Sequence, residues 1–247
     1  MEKIDIRGLM FDNVTRGEAR EAAAIALESD GVTTVFTPNA EIAYNASKDA
    51  DFMHILQSAD VLLPDGAGVI KASKILGTPL KEKVAGVDFG IDVTELCAES
   101  GKSLFLLGGK PGVAEKAAAK LTERFPDLKI AGVNDGYFEK QGGESDAVVE
   151  KINDSNADAL FVCLGSPAQE KWAYENKKKL ASVRLLCCLG GSIDVYAGTA
   201  KRAPKIFIKT STEWLYRLIK EPKRLGRMMC LPKYISDTKK YKRSIGK

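Results

Sequence analysis

The sequence predicts a mostly parallel, doubly wound α/β sheet with helices on both faces, and three observations predict it. Six short apolar runs, at residues 32–36, 61–63, 103–107, 128–133, 159–164 and 185–189, have the length and composition of buried strands. Helical patterns separate them, and strands alternating with helices indicate parallel pairing through crossover connections. Each run also ends in a polar or glycine-rich turn, the punctuation of a strand-to-helix junction. With 247 residues the chain can bury one large core, or one core with an appendage.

Taken in order, Ile4, Ile6, Leu9 and Phe11 give residues 3–14 a strand or hairpin signal. Thr15, with Glu18 three residues on, reads as a capping box; it opens an Ala-rich helix that ends near Ser29 and is stopped by Gly31. The strand at 32–36 runs into Thr37-Pro38-Asn39, and a helix starts near Ala40. Asp49-Ala50-Asp51 has the spacing of a metal-binding DxD pair, but its helical context makes it helix-terminus charge. The strand at 61–63 stops at Pro64, after which come Asp65, Gly66, Gly68 and the helical pattern of Val69, Ile70, Ala72, Ile75 and Leu76. A loop over 77–86 leads to Asp88, expected to cap a helix reaching about Ser100. The strand at 103–107 enters Gly108-Gly109-Lys110-Pro111-Gly112, ahead of a helix over 113–125. The next strand precedes Asn134-Asp135-Gly136-Tyr137-Phe138, a polar loop over 139–146 and a helix to about Ser155. The strand at 159–164 opens Gly165-Ser166-Pro167-Ala168-Gln169-Glu170 and a helix through Leu180, and the last strand ends in Gly190-Gly191-Ser192. The pattern is Rossmann-like: residues 1–198 form an α/β core and 199–247 a basic, amphipathic C-terminal appendage.

Composition excludes several function classes. The chain is 45% hydrophobic and 28% charged, as globular proteins are. No apolar run approaches the roughly 18–20 residues that span a bilayer, and the Met1-Glu2-Lys3-Ile4-Asp5 start lacks the apolar stretch of a signal peptide. The cysteines Cys97, Cys163, Cys187, Cys188 and Cys230 form no CxxC, and the middle three fall in strand runs, as reduced core residues of a cytosolic protein do. His54 is the only histidine, which removes most zinc sites and nearly all Ser-His-Asp schemes; in its helical pattern it is expected to be structural. The net charge of +4 hides an asymmetry. Residues 199–247 carry 15 Lys and Arg against 3 Asp and Glu, whereas 1–198 carry 22 against 30, so a basic end (+12) follows an acidic body (−8). Such an end points to an anionic partner: a membrane surface, a phosphate-rich substrate or nucleic acid.

Ligands of open α/β sheets bind at the carboxyl ends of the strands. The groups expected there are Thr37, Asn39, Asp65, the 108–112 turn, Tyr137, the 165–169 turn and Gly190-Gly191, a concentration that favours a binding cleft. Asp65 reads either as a helix cap or as a reactive carboxylate. The 108–112 turn is either a cradle of N–H groups for phosphate or a tight turn that needs glycine. It is neither GxGxxG nor a P-loop, so a nicotinamide oxidoreductase lacks its fingerprint. A nucleic-acid binder would rest on the basic end alone.

The motifs carry a resemblance. Thr37-Pro38-Asn39, Leu63-Pro64-Asp65-Gly66-x-Gly68-Val69, Val84-Ala85-Gly86-x-Asp88, Leu107-Gly108-Gly109-x-Pro111-Gly112, Leu164-Gly165-Ser166-Pro167-x-Gln169-Glu170, Lys201-Arg202-Ala203-Pro204, Glu213-Trp214-Leu215-Tyr216-Arg217-Leu218 and Glu221-Pro222-x-Arg224 stand in one order over nearly the whole chain. In that order the chain resembles the WecG/TagA/CpsF glycosyltransferases. The resemblance implies an inverting, metal-independent transfer, without a cofactor, from a UDP-sugar to a polyprenyl-diphosphate-linked sugar at the cytoplasmic face of a bacterial membrane. The branch it is most similar to moves N-acetylmannosamine onto undecaprenyl-diphosphate-linked GlcNAc in the teichoic acid linkage unit. Other branches use another UDP-hexose or N-acetylmannosaminuronic acid for capsule, exopolysaccharide or common antigen. No nucleic acid is implied, and a homo-oligomer is left open.

By the same resemblance Asp65 is the catalytic base, with Thr37 and Gln169 beside it. Asn39, Lys83, Gly108, Gly109, Gly112, Tyr137, Gly165, Ser166 and Glu170 are expected to hold the UDP-sugar. Arg217, Arg224 and Arg227 are expected on the lipid diphosphate, in a tail whose Trp214, Leu215, Leu218, Leu225 and Met228 interleave with cations, as in a membrane-surface segment. Inversion needs a base for the acceptor hydroxyl, and without a suitable histidine a carboxylate serves. The family commonly has arginine before Val-Ala-Gly; Lys83 keeps the charge and loses the bidentate phosphate geometry.

Overall fold

The computed structural model describes residues 1–204, 206–207, 213, 215–216 and 229–246. An antiparallel hairpin opens the chain, β1 (Lys3–Ile6) and β2 (Leu9–Asp12), turning at Arg7-Gly8, where both residues have positive φ. Then follow α1 (Arg16–Leu27), β3 (Thr33–Phe36), α2 (Ala40–Ala46), α3 (Ala50–Gln57), β4 (Val61–Leu62), α4 (Ala67–Leu76), α5 (Gly86–Ser100), β5 (Ser103–Gly108), α6 (Val113–Arg124) and β6 (Lys129–Asn134). The core is completed by α7 (Gly143–Asp154), β7 (Ala159–Cys163), α8 (Ala168–Asn176), β8 (Leu185–Cys188) and α9 (Ser192–Tyr196), and a C-terminal helix spans Cys230–Ser244.

The six predicted strands form one sheet in the order β4-β3-β8-β7-β5-β6, every neighbouring pair parallel. Alternate residues serve opposite faces. Phe36, Leu62, Phe105, Leu107, Leu160 and Leu186 enter one apolar core with α2, α3, α4, α7 and α8. Val35, Leu104, Leu106, Phe161, Leu185 and Cys187 enter the other, with α1, α5, α6 and α9. A strand covered on both faces must be apolar throughout, which is why these runs read as continuous rather than alternating. Burying each large side chain contributes about 1.5–3 kcal/mol.

Local chemistry explains several helix ends. Thr15 and Glu18 make the capping box of α1 in both directions. Asp49 caps α3 through the Phe52 N–H (3.0 Å) and Asp51 lies in its first turn, so this pair is helix-terminus charge. Three expectations change. Asp88 is not a cap: α5 starts earlier, at Gly86 behind Ala85, which frees the Asp88 carboxylate for bidentate pairing with Arg202 (2.7 and 2.5 Å). The polar loop after Phe138 is shorter than expected, because α7 begins at Gly143 with Glu144 and Asp146 in its first turn, where carboxylates suit the helix dipole. And α8 ends at Asn176, giving way to a single 3₁₀ turn at Lys177–Lys179 instead of continuing to Leu180. Cys97, Cys163, Cys187 and Cys188 are buried and free, and burial pushes the Cys97 and Cys163 thiols up to about 12. His54 is exposed at the surface, edge-on to Tyr174.

The C-terminal helix packs on α2 and α4 and buries Tyr234 beneath Arg7 of the hairpin turn. Gly68 makes this approach possible. A Cβ there would lie 2.5 Å from Ala40 Cβ and 2.6 Å from Leu231 Cδ1. Gly68→Val should therefore lower unfolding stability by about 1–3 kcal/mol through overpacking. Gly31→Ala, with open space around the added carbon, should stay within about 0.5 kcal/mol of the parent in the same urea titration.

Candidate active site

The register of the sheet decides where the polar turns stand. Leu62 pairs with Phe36, Phe36 with Cys188, Val162 with Cys188, and Leu107 with Val162, so the five strands β4, β3, β8, β7 and β5 end in level alignment. The turns that follow therefore form one rim, in the order Asp65, Thr37 and Asn39, Gly190, the 165–169 turn, the 108–112 turn and Tyr137. At the usual strand spacing the rim is about 24 Å long.

At its β4 end, Leu63 N–H donates to the Phe36 carbonyl (2.9 Å) and Val84 N–H to the Pro64 carbonyl (3.0 Å). These bonds hold the Pro64-Asp65-Gly66 turn between β3 and the loop that carries Lys83. Asp65 is half-buried there. The N-cap position of α4 belongs to Gly66 (φ 82°), so Asp65 stands one residue ahead of the cap. A Cβ on Gly66 would lie 3.6 Å from Asn39 Cβ, which places the carboxylate turn against Asn39. Asn39 itself caps α2, its Oδ1 accepting from the Glu41 and Ile42 N–H groups (2.9 and 3.1 Å). Thr37 is buried and its hydroxyl donates to the Cys188 carbonyl (3.0 Å), tying β3 to the end of β8. Gly86, at the start of α5, leaves room for that hydroxyl. Lys83 is half-buried and ion-paired with Glu213.

At the other end three glycines of the 108–112 turn, Gly108, Gly109 and Gly112, take positive φ (135°, 75° and 82°). At Gly108 a side chain would overlap the Cys163 carbonyl of the adjacent strand, so glycine is obligatory on steric as well as torsional grounds. Gly136 N–H donates to the Gly109 carbonyl (2.8 Å) and joins this turn to the β6 loop, beyond which Tyr137 is 67% exposed. The turn after β7 has Gly165 at φ 77° and a cis Ser166-Pro167 bond, and Gln169 N–H closes it on the Gly165 carbonyl (2.9 Å).

Gln169 and Glu170 lie beneath the rim, at 2% and 1% exposure. Gln169 Oε1 accepts from Gly190 N–H (2.9 Å) and its Nε2 donates to Glu170 Oε1 (2.8 Å). Burial pushes the Glu170 carboxyl above the ordinary carboxylate range, opposed first by the Gln169 hydrogen bond and then by its own nearby N–H and Ser166.

The structure thus brings together Asp65, Thr37, Asn39 and Lys83 at one end, and Gly108, Gly109, Gly112 and Tyr137 at the other. Gly165, Ser166, Gln169 and Glu170 lie between them. Arg217, Arg224 and Arg227 fall outside the described residues, as do Trp214, Leu218, Leu225 and Met228 of the same stretch. Sequence reasoning missed an ionic network behind the rim: Arg16 pairs bidentately with Asp92 (2.6 Å twice), and Arg202 with Asp88. Its partners are 76 and 114 residues apart in the chain, a distance over which no local pattern signals pairing. Among the described residues no three His, Cys, Asp or Glu side chains gather to hold a metal ion.

Likeness to known proteins bears on this arrangement. The model of the family described as "Glycosyl transferase WecG/TagA/CpsF family" matches residues 4–245. The chain is 36% identical over 213 residues to the N-acetylglucosaminyldiphosphoundecaprenol N-acetyl-beta-D-mannosaminyltransferase of Bacillus spizizenii strain W23, covering 86% of this chain and 81% of the relative. It is 38% identical over 200 residues to the protein of the same name from Bacillus subtilis strain 168 (81% and 76% covered), and 32% over 247 residues to that of Staphylococcus aureus strain MRSA252 (99% and 95%).

Two of the three glycines of the β5 turn should separate in a stability test. Gly108→Ala should cost about 3 kcal/mol or more, because backbone overlap adds to an unfavourable φ. Gly112→Ala, in open space, should cost only the left-handed strain of about 1–2 kcal/mol. Chemical denaturation of both variants checks the difference.

Proposed function

The chain belongs to the WecG/TagA/CpsF glycosyltransferase family, and from that membership we propose that it transfers N-acetylmannosamine from UDP-N-acetylmannosamine to undecaprenyl-diphosphate-linked N-acetylglucosamine. The observation that carries this reading is the likeness, at 32–38% identity over 81–99% of the chain, to three N-acetylmannosaminyltransferases acting on that acceptor. The rim supplies parts for the chemistry. Asp65 takes the proton from an acceptor hydroxyl as its oxygen attacks the anomeric carbon. The bond to the diphosphate oxygen breaks on the opposite face, giving inversion, and UDP leaves with the bonding electrons. The proton then passes from Asp65 to solvent.

Charge on the departing diphosphate is met by protein groups: the Lys83 ammonium and N–H groups of the 108–112 turn at the start of α6. Thr37 and Asn39 line the sugar end beside Asp65. Tyr137 offers an exposed ring for a nucleobase, alongside the 165–169 turn. Residues 1–198 act as the catalytic core and 199–247 as the membrane and lipid-diphosphate segment, with Arg217, Arg224 and Arg227 on the acceptor's diphosphate. Among the described residues no helix is long and apolar enough to cross a membrane. A net +12 segment suits peripheral attachment to an anionic cytoplasmic face. In support of this reading, the C-terminal helix Cys230–Ser244 packs on α2 and α4, the helices that begin just after Asn39 and Asp65.

UDP release, measured with a panel of UDP-sugars and a polyprenyl-diphosphate-GlcNAc acceptor, tests the reaction. N-acetylmannosamine should be the preferred donor, and preference for another sugar would reassign the branch. Asp65→Asn should lower kcat by about 10²-fold or more at unchanged stability; an unchanged rate removes Asp65 as the base. Replacing Arg217, Arg224 and Arg227 together by Gln should weaken binding to phosphatidylglycerol vesicles by about 10²-fold, at roughly 1 kcal/mol per cation. Equal binding would refute the attachment.

A further inference from the structure

We propose that Glu170 is a positioning residue of the transfer reaction: as a neutral carboxylic acid it orients the Gln169 amide, and that amide fixes the Gly190-Gly191 turn at the centre of the rim. The bearing on catalysis rests on the proposed function, whereas the lock itself is a property of the fold.

The hydrogen-bond directions are set by a backbone group. Gly190 N–H can only donate, so the Gln169 atom 2.9 Å from it is the carbonyl oxygen, and the amide nitrogen must face Glu170. Glu170 Oε1, 2.8 Å away, is therefore an acceptor. A proton on this carboxyl has one place to go, Oε2, which is buried and has no hydrogen-bond partner among the described residues.

The surroundings favour that proton. The carboxyl is 1% exposed, and among the described residues no cation is one of the groups acting on it. Ser166 approaches from the turn after β7, and from β8 comes Cys188, whose Sγ donates to the Gln169 carbonyl (3.6 Å). The Cys188 thiol is itself held neutral by burial. An ionised carboxylate among these groups would be a buried charge with no counter-ion among the described residues, a state that proteins avoid by keeping the acid protonated.

The lock sits where it matters for the rim. β8 is flanked by β3 and β7, and Thr37 of β3 already donates to the Cys188 carbonyl. A continuous run of bonds therefore links Thr37, the end of β8, Gly190, Gln169 and Glu170 across three adjacent strand ends. Removing the acid leaves the Gln169 amide hydrogens without an acceptor in a buried site and frees the amide to rotate off Gly190.

Two measurements on the full chain test this: amide hydrogen exchange at Gly190 in glycine-labelled protein, and kcat for UDP release. Glu170→Ala should speed Gly190 exchange by about tenfold or more and lower kcat by a similar factor, the effect of orphaning a buried donor. Glu170→Gln, which offers the same acceptor oxygen and a donor in place of Oε2–H, should restore slow exchange and most of the lost kcat. If Glu170→Gln is as impaired as Glu170→Ala in both measurements, the residue acts as a charge and the proposal is wrong. Unchanged exchange in Glu170→Ala also overturns it. Where Glu170→Ala does not fold, Gln169→Leu removes the same two bonds at similar volume. Fast Gly190 exchange in that variant supports the lock, and slow exchange refutes it. Wild-type protein that protects Gly190 but turns over no UDP-sugar would sink the proposed reaction and leave the lock standing.

Discussion

Level register between parallel strands is the constraint on which the site depends. Phe36, Cys188, Val162 and Leu107 stand side by side across β3, β8, β7 and β5, so the chain leaves the sheet at one height on four consecutive strands. A slip of one residue in β8 would exchange its contributions to the two cores, moving Leu186 and Cys188 to the face of Leu185 and Cys187. It would also carry the Cys188 carbonyl away from Thr37 and Gly190 away from Gln169. Packing that appears to serve stability alone thus sets the geometry of the polar edge. The one irregular register, between β5 and β6 at Leu104/Phe105, falls at the sheet margin, where Gly132 admits the Phe105 ring.

Behind this edge, α5 collects ionic contacts that join distant parts of the chain. Arg16 from the start of α1 and Arg202 from beyond α9 converge on Asp92 and Asp88. Half-exposed pairs of this kind contribute little singly. Their bidentate geometry makes them directional, and direction is what is needed to lead the chain after α9 back across α5. The Lys83–Glu213 pair repeats the device closer to the rim.

Much of the fold was legible because the physics is local. Continuous apolar runs announce strands buried on both faces, and Thr15 with Glu18 announces a helix start through bonds spanning three residues. The gathering of Asp65, Thr37, Asn39 and the glycine turns on one rim was equally legible, since parallel pairing leaves all carboxyl ends on one side. Asp88 was misread because an N-cap and a first-turn carboxylate look alike in sequence; only its partner Arg202, 114 residues away, distinguishes them. The inward burial of Gln169 and Glu170 was hidden for a related reason. A polar pair after a strand reads as ligand-facing unless the backbone donor that captures it, here Gly190, is known.

The close seat at Gly68 gives the C-terminal helix a share in the scaffold that carries Asn39 and Asp65. Binding free energies between coupled sites are reciprocal. Whatever steadies this helix steadies α2 and α4, and a substrate that draws those two helices together steadies the helix in return. On the reading proposed above, in which the basic segment attaches to a surface, that attachment and occupancy of the rim become one linked equilibrium, mediated by a position whose only qualification is the absence of a side chain.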